Sequence, residues 1–292
     1  MTKYTLALLL SLAPLIASAQ SIEKQYSLQL TEPDKPMSLD VEMRNGSVSI
    51  EGYSGKTVEI TAIISPLSKD ELAEINQNRR SWEPHKSRNK GGQQEPPKKR
   101  SKEGLKSVKN SSLSLEIEES DNEVEITSEF ASSRIDLQVK VPRSATLEVQ
   151  LYRGGDVNVS NLSGPIEIET WRGDIIAKKI SGPIVAETHD RSIEVEFSSL
   201  SDANPSSLTT YSGDIDITLG NKVAAKVNVQ NYQGEILSGL DEEFVATESV
   251  KRNKKGNKQE IVVGGQVSAT VNGGSQELSL ITYSGDVYVR KP

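Results

Sequence analysis

From Gly154 onward the chain can be written as five consecutive nines: GGDVNVSNL, SGPIEIETW, RGDIIAKKI, SGPIVAETH and DRSIEVEFS. No other feature limits the fold so tightly. The fourth position reads Val157, Ile166, Ile175, Ile184 and Ile193, and the sixth reads Val159, Ile168, Ala177, Ala186 and Val195. Apolar residues two apart share one face of a strand. The glycine near the start of most units suits a turn, where positive φ is often required. The ninth position alternates between Leu162 or Ile180 and Trp171 or His189. The true unit is therefore 18 residues, two strands joined by two kinds of corner, one spelled LSGP or ISGP and the other WRGD or HDRS.

A period near this length predicts stacked coils. One coil cannot bury its own apolar face, whereas stacked coils bury a continuous column, with strands about 4.8 Å apart. The expected fold is all-β, a β-solenoid (β-helix-like, right-handed or irregular) with coils of about 18–22 residues. A β-sandwich with similar hairpins is the alternative. Past Phe197 the spelling loosens, but the same corner returns in TYSGDIDI (Thr210–Ile217), NYQGE (Asn231–Glu235) and TYSGDVYV (Thr282–Val289). Toward the N-terminus, YSLQL, MSLDVEM, GSVSIEGYSGKTVEITAII, LSLEIEE, NEVEITSE and IDLQVKVP also alternate and are expected to be strands.

The alternation vanishes between Pro66 and Asn110. SKDELAEINQNR predicts a short helix with Ser68 as N-cap and Glu71 three residues on. The stretch after it is basic, rich in Pro and Gly, and has nothing to bury, so it predicts a mobile loop. Arg79 to Lys106 holds ten basic and three acidic residues in a chain of net charge −7. Residues 241–260, including KRNKKGNK (Lys251–Lys258), read as a second loop insertion.

Residues 1–19 have the form of a signal peptide: Lys3, the apolar run TLALLLSLAPLIA, and the small-x-small site Ala17–Ala19. Residues 20–292 then form a single β-strand-repeat domain, exported to the periplasm, the cell surface or the medium. The mature chain has no segment apolar enough to span a bilayer. With no cysteine there is no disulfide, thiol chemistry or lipidated cysteine to expect.

MSLDVEMRNGSVSIEGYSG, IDLQVKVPRSATLEVQLYRGGDVNVSNLSGPIEIETWRGDI and TYSGDIDITL together resemble the bacterial putative-adhesin family of β-strand-repeat proteins. Its members repeat Ser-Gly-Asp-Val/Ile units after a lead-in matched here by Val141, Pro142, Leu147 and Val149. The likeness covers roughly Met37–Ile64 and Ile135–Val289. It implies a β-solenoid-like protein of the cell envelope, in a family of unknown function with no catalytic residues to carry over. The chain departs from the pattern at HDRS and in its long basic insertion.

The corners supply the candidate chemistry. Two residues before glycine stand Tyr53, Trp171, Tyr211, Tyr232 and Tyr283, and Tyr152 joins them if Gly154 is an extra, bulged residue. His189 takes the same place in HDRS. One residue after glycine stand Asp156, Asp174, Asp214, Glu235 and Asp286. A ladder of aromatics beside carboxylates can bind sugars, by stacking and by accepting hydroxyl hydrogen bonds. The same residues also have a structural use, the aromatic covering its neighbour's glycine and the carboxylate capping turn N–H groups. The principal expectation is a non-enzymatic adhesin-like scaffold or binding module, with an envelope polysaccharide or protein as partner. One alternative is a carbohydrate-active β-helix enzyme using the Asp column, whose spacing of about 5 Å matches a retaining pair. Another is an envelope-stress or assembly accessory that docks on an anionic surface through the basic loop 79–106. Nucleic acid is the least expected partner of an exported chain.

No metal or cofactor is expected. The calcium nonapeptide needs Asp at position six, which is apolar here. The two histidines, His85 and His189, belong to no HExxH pattern, and no GxSxG or phosphate loop occurs. Arg172–Asp174 spells RGD because Arg replaces Ser in the repeat.

Overall fold

A computed structural model describes residues 21–68, 115–128, 133–200, 204–255 and 258–292, and for 247–265 the backbone alone. The signal peptide, the helix expected after Ser68 and the basic loop 79–106 lie outside the described residues. Among the described residues every regular element is a strand; no helix is long and apolar enough to cross a membrane.

The alternating segments become strands β1 (Ile22–Gln29), β2 (Ser38–Met43), β3 (Val48–Tyr53), β4 (Thr57–Pro66), β5 (Leu115–Ser120), β6 (Glu123–Ser128) and β7 (Ser133–Pro142). The repeat itself supplies β8 (Thr146–Leu151), β9 (Val157–Ser160), β10 (Ile166–Thr170), β11 (Ile175–Ile180), β12 (Ile184–Thr188), β13 (Ile193–Phe197), β14 (Ser206–Ser212) and β15 (Ile215–Leu219). The remainder are β16 (Ala225–Asn231), β17 (Ile236–Ser238), β18 (Val245–Lys255), β19 (Lys258–Val271), β20 (Gln276–Ser284) and β21 (Val287–Arg290).

From β7 to β18 successive strands go to opposite sheets. One sheet of 10 strands runs β1-β4-β7-β3-β9-β11-β13-β15-β21-β17, and the other, of 11, runs β18-β19-β16-β20-β14-β12-β10-β8-β2-β6-β5. From β8 to β15 each strand pairs in parallel with the strand two places on: Ile166 lies opposite Ile184, and Ile175 opposite Ile193. The fourth and sixth positions of the nines are buried, and Leu162, Ile180 and Phe197 close the core at one corner. Each Val, Leu, Ile or Phe side chain among them stabilises by about 1.5–3 kcal/mol when fully buried. At both ends the parallel pairing gives way to antiparallel strands: β1 and β4 on one sheet, β5 and then β18–β19 on the other. The segment 241–260, expected as a loop, is largely the paired strands β18 and β19. Its run of charged and polar residues hides the two-residue period.

The order of the stack is not the order of the chain. β2 and β3 lie between β6 and β7 on one side and β8 and β9 on the other. At the far end β20 inserts between β14 and β16, and β21 between β15 and β17, all in parallel. The two near-identical octapeptides are thus adjacent and in register: Thr210 opposite Thr282, Ser212 opposite Ser284, Ile215 opposite Val287. They pair because an identical corner stacks on itself without adjustment.

Deleting residues 276–292 should therefore open a slot inside both sheets rather than shorten the stack. The truncated protein is expected to lose its cooperative thermal transition by circular dichroism. A synthetic peptide of residues 276–292 added in trans should restore it.

Candidate functional site

At the WRGD-type corner the chain leaves one sheet for the other, and each corner residue lies directly over its counterpart in the next coil. The first column is Thr170, Thr188, Thr210 and Thr282, all at most 2% exposed. Each hydroxyl donates to a corner carbonyl of the neighbouring coil: Thr170 to Gly155 (3.3 Å), Thr188 to Gly173 (3.0 Å), Thr210 to Arg191 (2.8 Å) and Thr282 to Gly213 (3.0 Å). Asn231 takes the place of Thr in the last coil and donates to Gly285 at 3.1 Å. The carbonyl that receives the hydroxyl also presses on the glycine of the next coil. A Cβ on Gly173 would lie 1.8 Å from the Gly155 oxygen, and one on Gly213 2.2 Å from that of Arg191. Glycine is needed here for close approach.

The carboxylates form a second column. Asp156 Oδ1 accepts the N–H of Asp174 (3.1 Å), Asp174 Oδ1 that of Ser192 (3.0 Å), Asp214 Oδ1 that of Asp286 (2.8 Å) and Asp286 Oδ1 that of Glu235 (2.8 Å). Where the chain has Ser192, its hydroxyl accepts the Asp214 N–H at 3.2 Å. The acids thus cap N–H groups as the structural reading of the sequence has it, but across coils rather than within their own turn. Asp156, Asp174, Asp214 and Asp286 each have Oδ1 committed to a backbone N–H, while Glu235 enters the column through its N–H.

The third column is aromatic. One residue past the Thr column, in register, come Tyr152, Trp171, His189, Tyr211, Tyr283 and Tyr232. Trp171 stacks on His189 (ring centroids 4.5 Å apart), His189 on Tyr211 (4.9 Å), Tyr211 on Tyr283 (5.0 Å) and Tyr283 on Tyr232 (4.6 Å). His189 is held in place by Asp190, 2.7 Å from its Nδ1, and Asp190 in turn pairs with Arg172 at 3.3 Å. The hydrogen bond with His189, opposed by burial and aided by the charge interactions with His189 and Arg172, holds the Asp190 carboxyl below its usual range. Tyr152 continues the row next to Trp171, with its hydroxyl donating to Gln150 at 3.1 Å.

Two readings of the sequence change. Tyr53 does not join the row: it ends β3 in the other sheet, and its hydroxyl donates to the Thr57 carbonyl at 2.9 Å. Tyr283 lies between Tyr211 and Tyr232, against chain order. The near-identity of TYSGDIDI and TYSGDVYV was the signal for that adjacency. The interior rings also cover each other's faces, so a sugar meets their edges and hydroxyls, with an open face only at an end such as Tyr232.

The carboxyl most perturbed lies elsewhere. Asp40, on β2, has Glu125 of β6 and Glu148 of β8 as its in-register neighbours. Burial first, and then the charges of Glu148, Glu42, Glu125 and Glu123, raise its pKa to about 6. Its Oδ1 is buried without a hydrogen-bond partner.

No family model matches the chain, and no curated protein does. Two solved structures are similar to it in extent. One is described as a putative cell adhesion protein from Clostridium sporogenes, at 9% identity and a TM-score of 0.43, covering 94% of this chain and 100% of the other. The second is described as a putative adhesin from Bacteroides fragilis, at 8% identity and a TM-score of 0.24, covering 94% and 98%. Neither superposition is close enough to place a residue or an activity on this chain.

Thr210→Val should lower stability by about 1–2 kcal/mol in urea unfolding, through loss of one buried hydrogen bond. Gly213→Ala should lower it further, since the backbone oxygen of Arg191 has to move. Asp40 binds its proton more tightly folded than unfolded, so it favours the native state at low pH. That contribution is lost as pH rises from the ordinary carboxylate range through about 6. Asp40→Asn should therefore raise the melting temperature at pH 8 and change it little at pH 4.

Proposed function

We propose that this protein is an exported, non-enzymatic module of the cell envelope, an adhesin-like β-solenoid whose aromatic corner binds an extended polymer. The parallel, in-register pairing of strands two apart supports the solenoid reading, and the form of residues 1–19 supports export. The observation that carries the function is the aromatic row. Among the described residues, ten large hydrophobic side chains are exposed, and Tyr152, Trp171, Tyr211, Tyr232 and Tyr283 are five of them, all in this one register. Nothing in the core requires large rings there. A stacked pair gains about 0.5–1.5 kcal/mol beyond its burial. The rings are thus fixed before a ligand arrives, which lowers the entropy lost on binding. Ring edges carry partial positive charge and tyrosine hydroxyls donate, so the strip suits an oxygen-rich chain such as an envelope polysaccharide lying along it.

A screen of glycans and envelope polymers tests this reading. Trp171→Ala and Tyr211→Ala should each weaken the best binder about tenfold, equivalent to about 1.4 kcal/mol. Tyr26→Ala, an exposed ring on β1, should leave it unchanged. Equal affinity in all three would remove the aromatic row as the site.

A further inference from the structure

We propose that β18 and β19 form an arm that attaches the protein to an anionic phospholipid surface. β19 pairs with β16 only from Val271 opposite Ala225 to Val267 opposite Val229. Beyond that its one strand neighbour among the described residues is β18, registered from Ala246 opposite Val267 to Lys255 opposite Lys258. β16 meanwhile ends at Asn231 and turns into the corner that carries Tyr232. The hairpin therefore runs on past the corner as a two-stranded ribbon. Its nine residues from Lys258 to Gln266 span roughly 30 Å at about 3.4 Å each.

The far end of this ribbon is cationic. Lys251, Arg252, Lys254, Lys255 and Lys258 fall within eight residues that include no acid, in a chain with 41 acidic and 34 basic residues. Glu260, opposite Asn253, is the acid next to this run. Lys255 lies directly opposite Lys258. Like charges facing each other across a hairpin are destabilising, so the tip gains from an external anion. Five cations gathered at the end of one ribbon fit a surface of many phosphates better than a single small anion. A basic residue near an anionic bilayer contributes about 1 kcal/mol, enough together for firm, salt-sensitive attachment. The ribbon leaves from the same corner edge as the aromatic row, so attachment would turn that edge toward the surface. The arm does not depend on the row's function, and the two are tested by different ligands.

The test is co-sedimentation of the full chain with vesicles of phosphatidylcholine and phosphatidylglycerol in equal parts, against phosphatidylcholine alone. Binding is expected to the mixed vesicles only, and to weaken as salt is raised. Replacing Lys251, Arg252, Lys254, Lys255 and Lys258 by Gln should reduce it at least about tenfold. The milder pair Lys254→Gln and Lys255→Gln should give a partial loss with an unchanged circular dichroism spectrum. Trp171→Ala should bind vesicles like the parent. Equal binding to both vesicle types overturns the proposal, as does binding to soluble polyphosphate but not to vesicles. Full binding by the five-fold variant also overturns it, and points instead to Arg79–Lys106.

Discussion

A single line of backbone hydrogen bonds runs through the molecule from coil to coil. Val48 donates to Asp156, Val157 to Asp174, Ile175 to Ser192, Ile193 to Asp214, Ile215 to Asp286 and Val287 to Glu235, each at 2.9 or 3.0 Å. This repeated bond fixes the spacing and the register of everything else. Because the pairing is parallel and unshifted at this corner, a residue type repeated in sequence becomes a column in space. The buried apolar columns, the Thr column, the carboxylate column and the aromatic row are four results of one constraint.

The corner shows how tightly that constraint binds the sequence. One carbonyl accepts the Thr hydroxyl, and the next coil's glycine must approach it closely. One carboxylate accepts an N–H from the following coil while the same residue's carbonyl accepts one from the preceding coil, as at Asp174. The Thr, Gly and Asp of TYSGD are thereby occupied in holding coils together. The aromatic is the large side chain of the motif that stays about half exposed, beside an exposed Ser.

Much of this is legible in the amino-acid sequence. The nines from Gly154 gave the strands, the inward positions and the two corner types, because there the stack follows the chain and every coil has the same length. Trp171 outward and Thr170 inward follow from alternation alone. Tyr53 departs from the row because YSGK spells one corner while occupying the other, and local spelling does not say which sheet a strand joins. The order Tyr211, Tyr283, Tyr232 depends on pairing across a long connection, which no period reveals. The strands β18 and β19 were hidden because their charged residues carry no inside–outside contrast. The committed carboxylates needed distances, since an Asp that holds a neighbour's N–H and one that faces a ligand look the same in sequence.

The out-of-order coils at the two ends set a time sequence for assembly. A chain emerging N-terminus first can close β8 to β15 as they appear, each coil templating the next. The space between β15 and β17 stays vacant until β21 has emerged, and the contact of Asp286 with Asp214 joins residues 72 apart. Pairings so distant in sequence form slowly. Until they do, β14 and β16 present open edges, where the protein is most exposed to pairing with other chains. The pair β20 and β21 is thus the keystone, and the two sheets stay unlocked until it is in place.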